Sequence, residues 1–403
     1  MPSALEQRLD TTRDRTLALV ADLSDEVVHE PLDPIMSPLV WDLAHIAAYE
    51  DLWAVHRLGG EPLLHEDLAA TYDAFETPRD VRGEIELLDR TGALAYLDDV
   101  RERTLGVLER TGPDELHELV VRHELQHTET MRQAMFLGGL PGGSPDALPA
   151  LAGDEDFVAI EAGRAELGAD GDGFAYDNER PRHGVEVGAF AIARAPVTNG
   201  TWMRFAEGGG YERREWWTDE GWSWKQCYDI THPAGWSDDV DPSQPVLHVS
   251  WFEADAFARA HDARLPTEIE WEKAATWDQA SATARTYPWG EEPPVPGVHA
   301  NVDHVHTGTS AALAYPAGAS AYGIQHTVGD VWEWTSSTFD GYPGFTAFPY
   351  REYSEVFFDE GYKVLRGGSW ATRARTITPA FRNWDFPQRR QIFSGFRLAK
   401  DVS

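Results

Sequence analysis

Gly138-Gly139-Leu140-Pro141-Gly142-Gly143-Ser144-Pro145 is a run through which no regular element is expected to pass. Glycine leaves the backbone unrestrained and proline removes a donor, so helix and strand both stop here. A chain of 403 residues is about the length of two domains of roughly 100–200 residues each. The boundary is therefore predicted at this run, with a domain over 1–142, a linker over 143–156 and a second domain over 157–403. On the N-terminal side, Leu39, Leu43, Ile46 and Trp53 recur every three to four residues, as do Leu116, Leu119, His123 and His127. That period predicts long helices packed as a bundle. Ser37-Pro38 reads as an N-cap with proline at the first helical position, and Thr111-Gly112-Pro113-Asp114 as a break between two helices. On the C-terminal side the texture changes to short runs such as Val185-Glu186-Val187 and Phe190-Ala191-Ile192-Ala193, with brief helical stretches such as Trp251 to His261. This half is predicted to be an irregular α+β domain.

The 68 acidic and 34 basic side chains leave a formal charge of -34, which repels nucleic-acid phosphates and anionic lipid, so neither is an expected partner. Cys227 is the single cysteine, which excludes an internal disulfide and a thiolate-built metal cluster and fits a reducing compartment. From Met1 to Val28 the chain is broken by Arg, Asp and Glu, and no stretch approaches the roughly 18 apolar residues of a membrane span. A cytoplasmic protein, monomeric and free of membrane, is expected.

His123-Glu124-Leu125-Gln126-His127 sets two imidazoles at i and i+4, one above the other on a helix face, as chelation of one metal ion requires. The same stripe carries Leu116, Leu119 and Met131, which turns the pair toward a bundle interior. His45, in Trp41-Asp42-Leu43-Ala44-His45-Ile46, is the candidate third ligand from another helix. The spacing alone also describes two hydrogen-bonded helix histidines with no metal. His-Glu-x-x-His is in addition the pattern of zinc hydrolases, with Glu124 as general base, although the glycine- and proline-rich run that follows offers no clear third histidine. Ligand type alone leaves iron and zinc both open, and a non-catalytic metal-binding scaffold as well.

Three segments of the second half are more specific: Arg264-Leu265-Pro266-Thr267-Glu268-Ile269-Glu270-Trp271-Glu272, Gly329-Asp330-Val331-Trp332-Glu333-Trp334-Thr335 and Arg366-Gly367-Gly368-Ser369-Trp370. With Pro196-Val197-Thr198-Asn199 they resemble the formylglycine-generating-enzyme fold, an irregular α+β domain of C-type-lectin-like architecture. The generating enzyme works through a cysteine pair, which Cys227 alone cannot supply, so the fold is expected here without that chemistry. A DinB-like four-helix bundle with a three-histidine site, followed by such a domain, resembles the ergothioneine-biosynthesis sulfoxide synthases over essentially the whole chain. The sharpest match is Phe381-Arg382-Asn383-Trp384-Asp385-Phe386-Pro387-Gln388-Arg389-Arg390-Gln391-Ile392-Phe393.

That resemblance implies a non-haem iron(II) enzyme that uses O2 to couple γ-glutamylcysteine, or cysteine, to C2 of the hercynine imidazole. It makes His45, His123 and His127 the Fe(2+) ligands, and Tyr350 the tyrosine that delivers a proton or electron during the oxygen chemistry. Arg79 and Arg82 match the arginines that clamp the thiol substrate's carboxylates, a task suited to a guanidinium fork. Asp385 and Arg389 match positions that hold its α-ammonium and carboxylate. Gln126, Asn383 and Trp384, with Tyr353 beside them, match the contacts of hercynine, whose quaternary ammonium is recognised by aromatic faces. Thr378, Ala380 and Phe386 depart from the residues frequent in the family (Arg, Ser and His), which bears on thiol preference. These assignments place the expected reaction between the two domains.

Overall fold

The computed structural model describes residues 3–140, 156–170, 173–237 and 239–402, in two compact units, Met1–Pro141 and Gly142–Ser403. The predicted linker 143–156 lies outside the described residues, except for Asp156.

The first unit is helical. Helices α1 (Ala4–Val20), α2 (Asp25–His29), α3 (Leu39–Glu50), α4 (Arg90–Thr111) and α5 (Glu115–Leu137) follow in order, and a π-helical turn over Asp51–Leu58 prolongs α3. Helix α3 packs against both α4 and α5, and α1 against α5. Leu39, Val40, Trp41, Leu43 and Ile46 of α3 form the middle of the apolar core with Leu97 and Val100 of α4 and Met131 of α5. The break between α4 and α5 lies where the sequence predicts it. Gly112 leaves α4 at φ 76, and the Asp114 carboxylate caps α5 by accepting from Leu116 N–H. The start of α3 differs by one residue: Pro38 is the cap and no side chain caps it. The Ser37 hydroxyl is engaged elsewhere, accepting from Arg82 Nη1 at 2.9 Å.

The second unit holds short strands and helices, in keeping with its broken hydrophobic pattern. Strands β1 (Phe157–Ile160), β2 (Gly163–Leu167), β3 (His183–Val187) and β4 (Phe190–Ala193) precede helices α6 (Asn199–Glu207), α7 (Asp219–Cys227), α8 (Trp251–Ala260) and α9 (Glu268–Thr276). Next come β5 (Trp277–Asp278), β6 (Thr283–Ala284), β7 (Trp332–Thr338), β8 (Lys363–Arg366), β9 (Arg382–Asp385), β10 (Ser394–Gly395) and β11 (Ala399–Asp401). One sheet runs β1-β4-β11 and another β10-β7-β8-β9, while β2-β3 and β5-β6 pair separately. Strand β9 lies antiparallel to β8, with Asn383 opposite Leu365 and Asp385 opposite Lys363. The Asn383-Trp384-Asp385 segment thus has a fixed register.

The three signature segments turn out to be one buried scaffold. Thr267 caps α9 in a reciprocal capping box with Glu270, which also receives Arg264. Glu268 and Glu272 accept from Arg366, and Glu268 also from Arg382. Trp271 Nε1 donates to Glu333 at 2.8 Å, and Arg397 Nε to the same carboxylate at 2.6 Å. Each buried carboxylate has a cationic or N–H partner, as removal from water requires.

Candidate metal centre

His45 comes from α3, a helix so apolar that 11 of its 12 residues are buried, and His123 and His127 from successive turns of α5. Their ligand atoms all lie within 4.8 Å of one another, and the ring centroids are 4.6–4.9 Å apart. The i, i+4 spacing read from the sequence therefore does bring two imidazoles to one point, and a third meets them from a neighbouring helix.

The surroundings fix how these rings face. His45 Nδ1 donates to the Tyr72 carbonyl at 2.6 Å, and His127 Nδ1 to Asp42 Oδ1 at 2.9 Å. Since neither oxygen can donate, Nδ1 carries the hydrogen in both rings and the Nε2 lone pairs are left for a cation. Trp41 stacks on His45 at 4.7 Å, and Tyr49 on His123 at 3.6 Å. Burial pushes the pKa of His45 and of His123 well below the ordinary histidine range, and the neighbouring His127 adds to it. Neutral imidazole is the form that ligates a metal. Asp42 is 1% exposed and, among the described residues, its Oδ2 has no hydrogen-bond partner; Arg82 is a nearby cation that interacts with its charge, and a metal ion on the far side of His127 would add a second. The residues present fit a divalent metal ion.

Asp42→Ala is expected to weaken metal binding by roughly ten- to hundredfold, the usual cost of losing an outer partner of a histidine ligand. Competition between the protein and a chelator for cobalt(II) checks this, and an unchanged affinity contradicts it.

Glu124, the acid within the His-x-x-x-His pattern, does not serve the centre as a base. It is 1% exposed and accepts from Arg13 Nε at 2.9 Å, Thr16 Oγ1 at 2.8 Å and Arg101 Nη2 at 3.1 Å. Glu50 shares the same two arginines. A carboxylate so occupied has no lone pair directed at a metal-bound water, and the zinc-hydrolase reading loses its general base.

The remaining sequence-predicted residues fall into two groups. In the first unit Arg82 is buried, with its guanidinium carbon 3.5 Å over the Trp41 ring. It donates to Thr77 O, Ser37 Oγ and Ala74 O, and burial pulls its pKa down to about 10. Arg79 sits one turn of 3-10 helix away and, among the described residues, takes part in no ion pair. Gln126 is on α5, one residue before His127. In the second unit Tyr353 makes edge contacts with Tyr350 at 6.2 Å and with Trp384 at 6.5 Å, and Trp384 lies flat on Phe339 at 4.0 Å. Asn383 Oδ1 accepts from Trp384 N–H at 2.9 Å. Asp385 Oδ2 accepts from Gln391 Nε2 at 2.7 Å, while Arg389 Nε stands 3.8 Å from Oδ1. Phe386 stacks on Tyr362 at 4.1 Å. Asp42, Trp41 and Tyr49 escaped the sequence reading. The available signal was a carboxylate within the apolar run 39–44, one turn before His45.

Comparison with known proteins agrees with this division. Residues 8–138 match the DinB superfamily, and residues 147–402 the sulfatase-modifying factor enzyme 1-like domain. The chain is 44% identical over 428 residues to a hercynine oxygenase of Mycolicibacterium thermoresistibile, spanning 99% of this chain and 95% of that protein. It is also 44% identical over 429 residues to the hercynine oxygenase of Mycobacterium tuberculosis, spanning 100% of this chain and 99% of the relative. A formylglycine-generating enzyme of Streptomyces coelicolor is 30% identical over 297 residues, which cover 61% of this chain and 89% of that enzyme.

Proposed function

Because the chain belongs to the hercynine oxygenase family, we propose that His45, His123 and His127 hold ferrous iron and that the protein uses dioxygen to join the sulfur of γ-glutamylcysteine to C2 of hercynine. The balance is a thiol, an imidazole C–H and O2 giving one C–S bond, one S=O bond and one water. Both hydrogens leave in the water, and the four electrons reduce O2. The three converging imidazoles, with Trp41 stacked on His45 and Tyr49 on His123, are the observation that carries this reading. Iron(II) bound there supplies the electron transfer that dioxygen needs before it reacts with closed-shell substrates.

The chain's own residues would then bind and orient the two substrates. Arg79, which takes part in no ion pair among the described residues, offers its guanidinium to a carboxylate of the thiol substrate. Arg82 has spent three of its five N–H donors on Thr77, Ser37 and Ala74, so it contributes fewer. Asp385 and Arg389, 3.8 Å apart, are suited to an α-amino acid, the acid taking the ammonium and the arginine the carboxylate. Trp384 and Tyr353 present aromatic faces to a quaternary ammonium, which no hydrogen-bond acceptor can hold as a donor. Asn383 and Gln126 are the polar partners assigned to the same substrate. Tyr350, whose phenol O–H can give up either, is the proton or electron donor.

Equimolar γ-glutamylcysteine and cysteine, offered together with hercynine to the iron-loaded protein in air, decide the donor. The γ-glutamyl product should dominate by mass spectrometry. A preponderance of the cysteine product refutes the donor assignment, and the absence of both refutes the function.

A further inference from the structure

The buried tripeptide Tyr176-Asp177-Asn178, more than 170 positions upstream of Tyr350, meets its loop at several points. Asp177 is 2% exposed, Asn178 1% and Ser354 0%. Asp177 Oδ2 accepts from Phe348 N–H at 3.1 Å, and Oδ1 from the Ser354 hydroxyl at 2.5 Å. Asn178 Nδ2 in turn donates to Ser354 Oγ at 2.9 Å. One carboxylate therefore ties together the two ends of the segment 348–354, two residues before Tyr350 and four after it. The Tyr176 ring lies flat against Tyr353 at 5.0 Å, and Tyr353 meets Tyr350 edge-on. The Asn178 carbonyl accepts from Arg382 Nη1 at 2.7 Å, so the same tripeptide is also bonded to the strand that carries Asn383, Trp384 and Asp385.

We propose that Asp177 is a positioning residue for Tyr350, a clamp that closes the 348–354 loop and sets where the phenol stands. An alternative is that Asp177 merely fills a polar hole in the core. Its bonds argue otherwise. Among the described residues it forms no ion pair, and apart from the backbone N–H groups of Asp177 and Asn178 beside it, the groups it satisfies are the two ends of one loop. A buried carboxylate without a cation is costly, and here the donors that offset the cost from outside its own turn are drawn from the tyrosine segment. Between these anchors lies the 3-10 turn over Arg351–Tyr353, so the clamp fixes both ends of the short stretch that carries the phenol. A displacement of an ångström at a reacting group is enough to cost roughly a hundredfold in rate.

The consequence for turnover rests on the role proposed for Tyr350, whereas the clamp itself does not. The test reads them separately. With 3-fluorotyrosine placed at position 350, the fluorine NMR signal of the full-length protein should be a single narrow line. It should shift or broaden in Asp177→Ala, and to a smaller degree in Ser354→Ala, which removes one anchor and is the milder change to the fold. An unaltered line in both variants, with a normal circular dichroism spectrum, overturns the clamp. In parallel, the ratio of coupled product to oxidised thiol is measured with iron, air and both substrates. Tyr350→Phe and Asp177→Ala should both lower it by roughly tenfold or more, with the KM of each substrate little changed. If Tyr350→Phe leaves the ratio unchanged, the role given to Tyr350 fails and the fluorine signal still decides the clamp. If Tyr350→Phe lowers the ratio and neither Asp177→Ala nor Ser354→Ala does, the positioning role is wrong.

Discussion

His127→Ala is expected to yield a folded protein that no longer keeps a metal through anaerobic desalting and that has lost coupling activity to the limit of detection. The loss is twofold. One of the three imidazoles proposed as ligands disappears, and Asp42, buried at 1% exposure, loses the N–H that its Oδ1 accepts. Removal of an outer partner alone weakens metal binding by ten- to hundredfold, so removal of the ligand together with its partner's bond should exceed about a hundredfold. The fold should survive, because α5 is held by Leu119, Val121, Leu125 and Met131, all buried, and His127 is not part of the apolar core. The orphaned Asp42 oxygen should cost roughly 1–3 kcal/mol of stability. Metal content per chain and the far-UV circular dichroism spectrum check both halves. A variant that retains its metal would show that the other two histidines suffice, contrary to the assignment.

Arg101→Ala carries the second large effect, on stability. Arg101 Nε and Nη2 bond both oxygens of Glu50 at 2.8 and 3.0 Å, and Nη2 also reaches Glu124 at 3.1 Å. Its loss leaves two buried carboxylates to share Arg13. Breaking a buried ion pair from one side costs about 3–5 kcal/mol, since the remaining charge stays out of water. Urea titration followed by circular dichroism should show that loss in the helical unit. A change within about 0.5 kcal/mol, the range of ordinary surface substitutions, contradicts it. The same network sets the acid limit of the fold. Burial pushes the Glu50 carboxyl upward, but Arg101 and Arg13 more than offset this and hold it at about 2, below the ordinary 4.5. A group depressed in the folded state contributes its stability above pH 4.5 and loses it as pH falls through about 2. The helical unit should therefore resist mild acid and weaken between these limits.

Much of the architecture was legible in the residues. The glycine- and proline-rich run at 138–145 marks the change from helical to broken hydrophobic pattern, and the structure divides the chain into units ending at Pro141 and beginning at Gly142. The paired histidines were legible because i, i+4 spacing on a helix is local geometry. What escaped depends on contacts between distant segments. Asp42 reaches His127 across 85 positions, and Asp177 reaches Ser354 across 177. No period in the sequence announces such a bond. Glu124 shows how a local pattern misleads in the other direction. The His-Glu-x-x-His motif suggests a base beside a metal, yet the carboxylate is claimed by arginines on α1 and α4. Arg82 was readable as a cation for substrate, but not as the side chain that lies over Trp41, because that depends on how the loop after Tyr72 folds back on α3. The signature segments of the second half flagged a family, and only the packed structure shows that their acids and arginines are a buried framework.

The most direct measurement is a single turnover under labelled oxygen. Protein loaded with iron(II) under argon is mixed with hercynine and γ-glutamylcysteine, exposed to 18O2, and the product is weighed by mass spectrometry. The expected result is no coupled product before oxygen enters and, after it, one species in which the two substrates are joined with a single 18O on sulfur. Coupled product formed in the absence of oxygen, or product without the label, would contradict an iron-dependent oxygenase built on His45, His123 and His127.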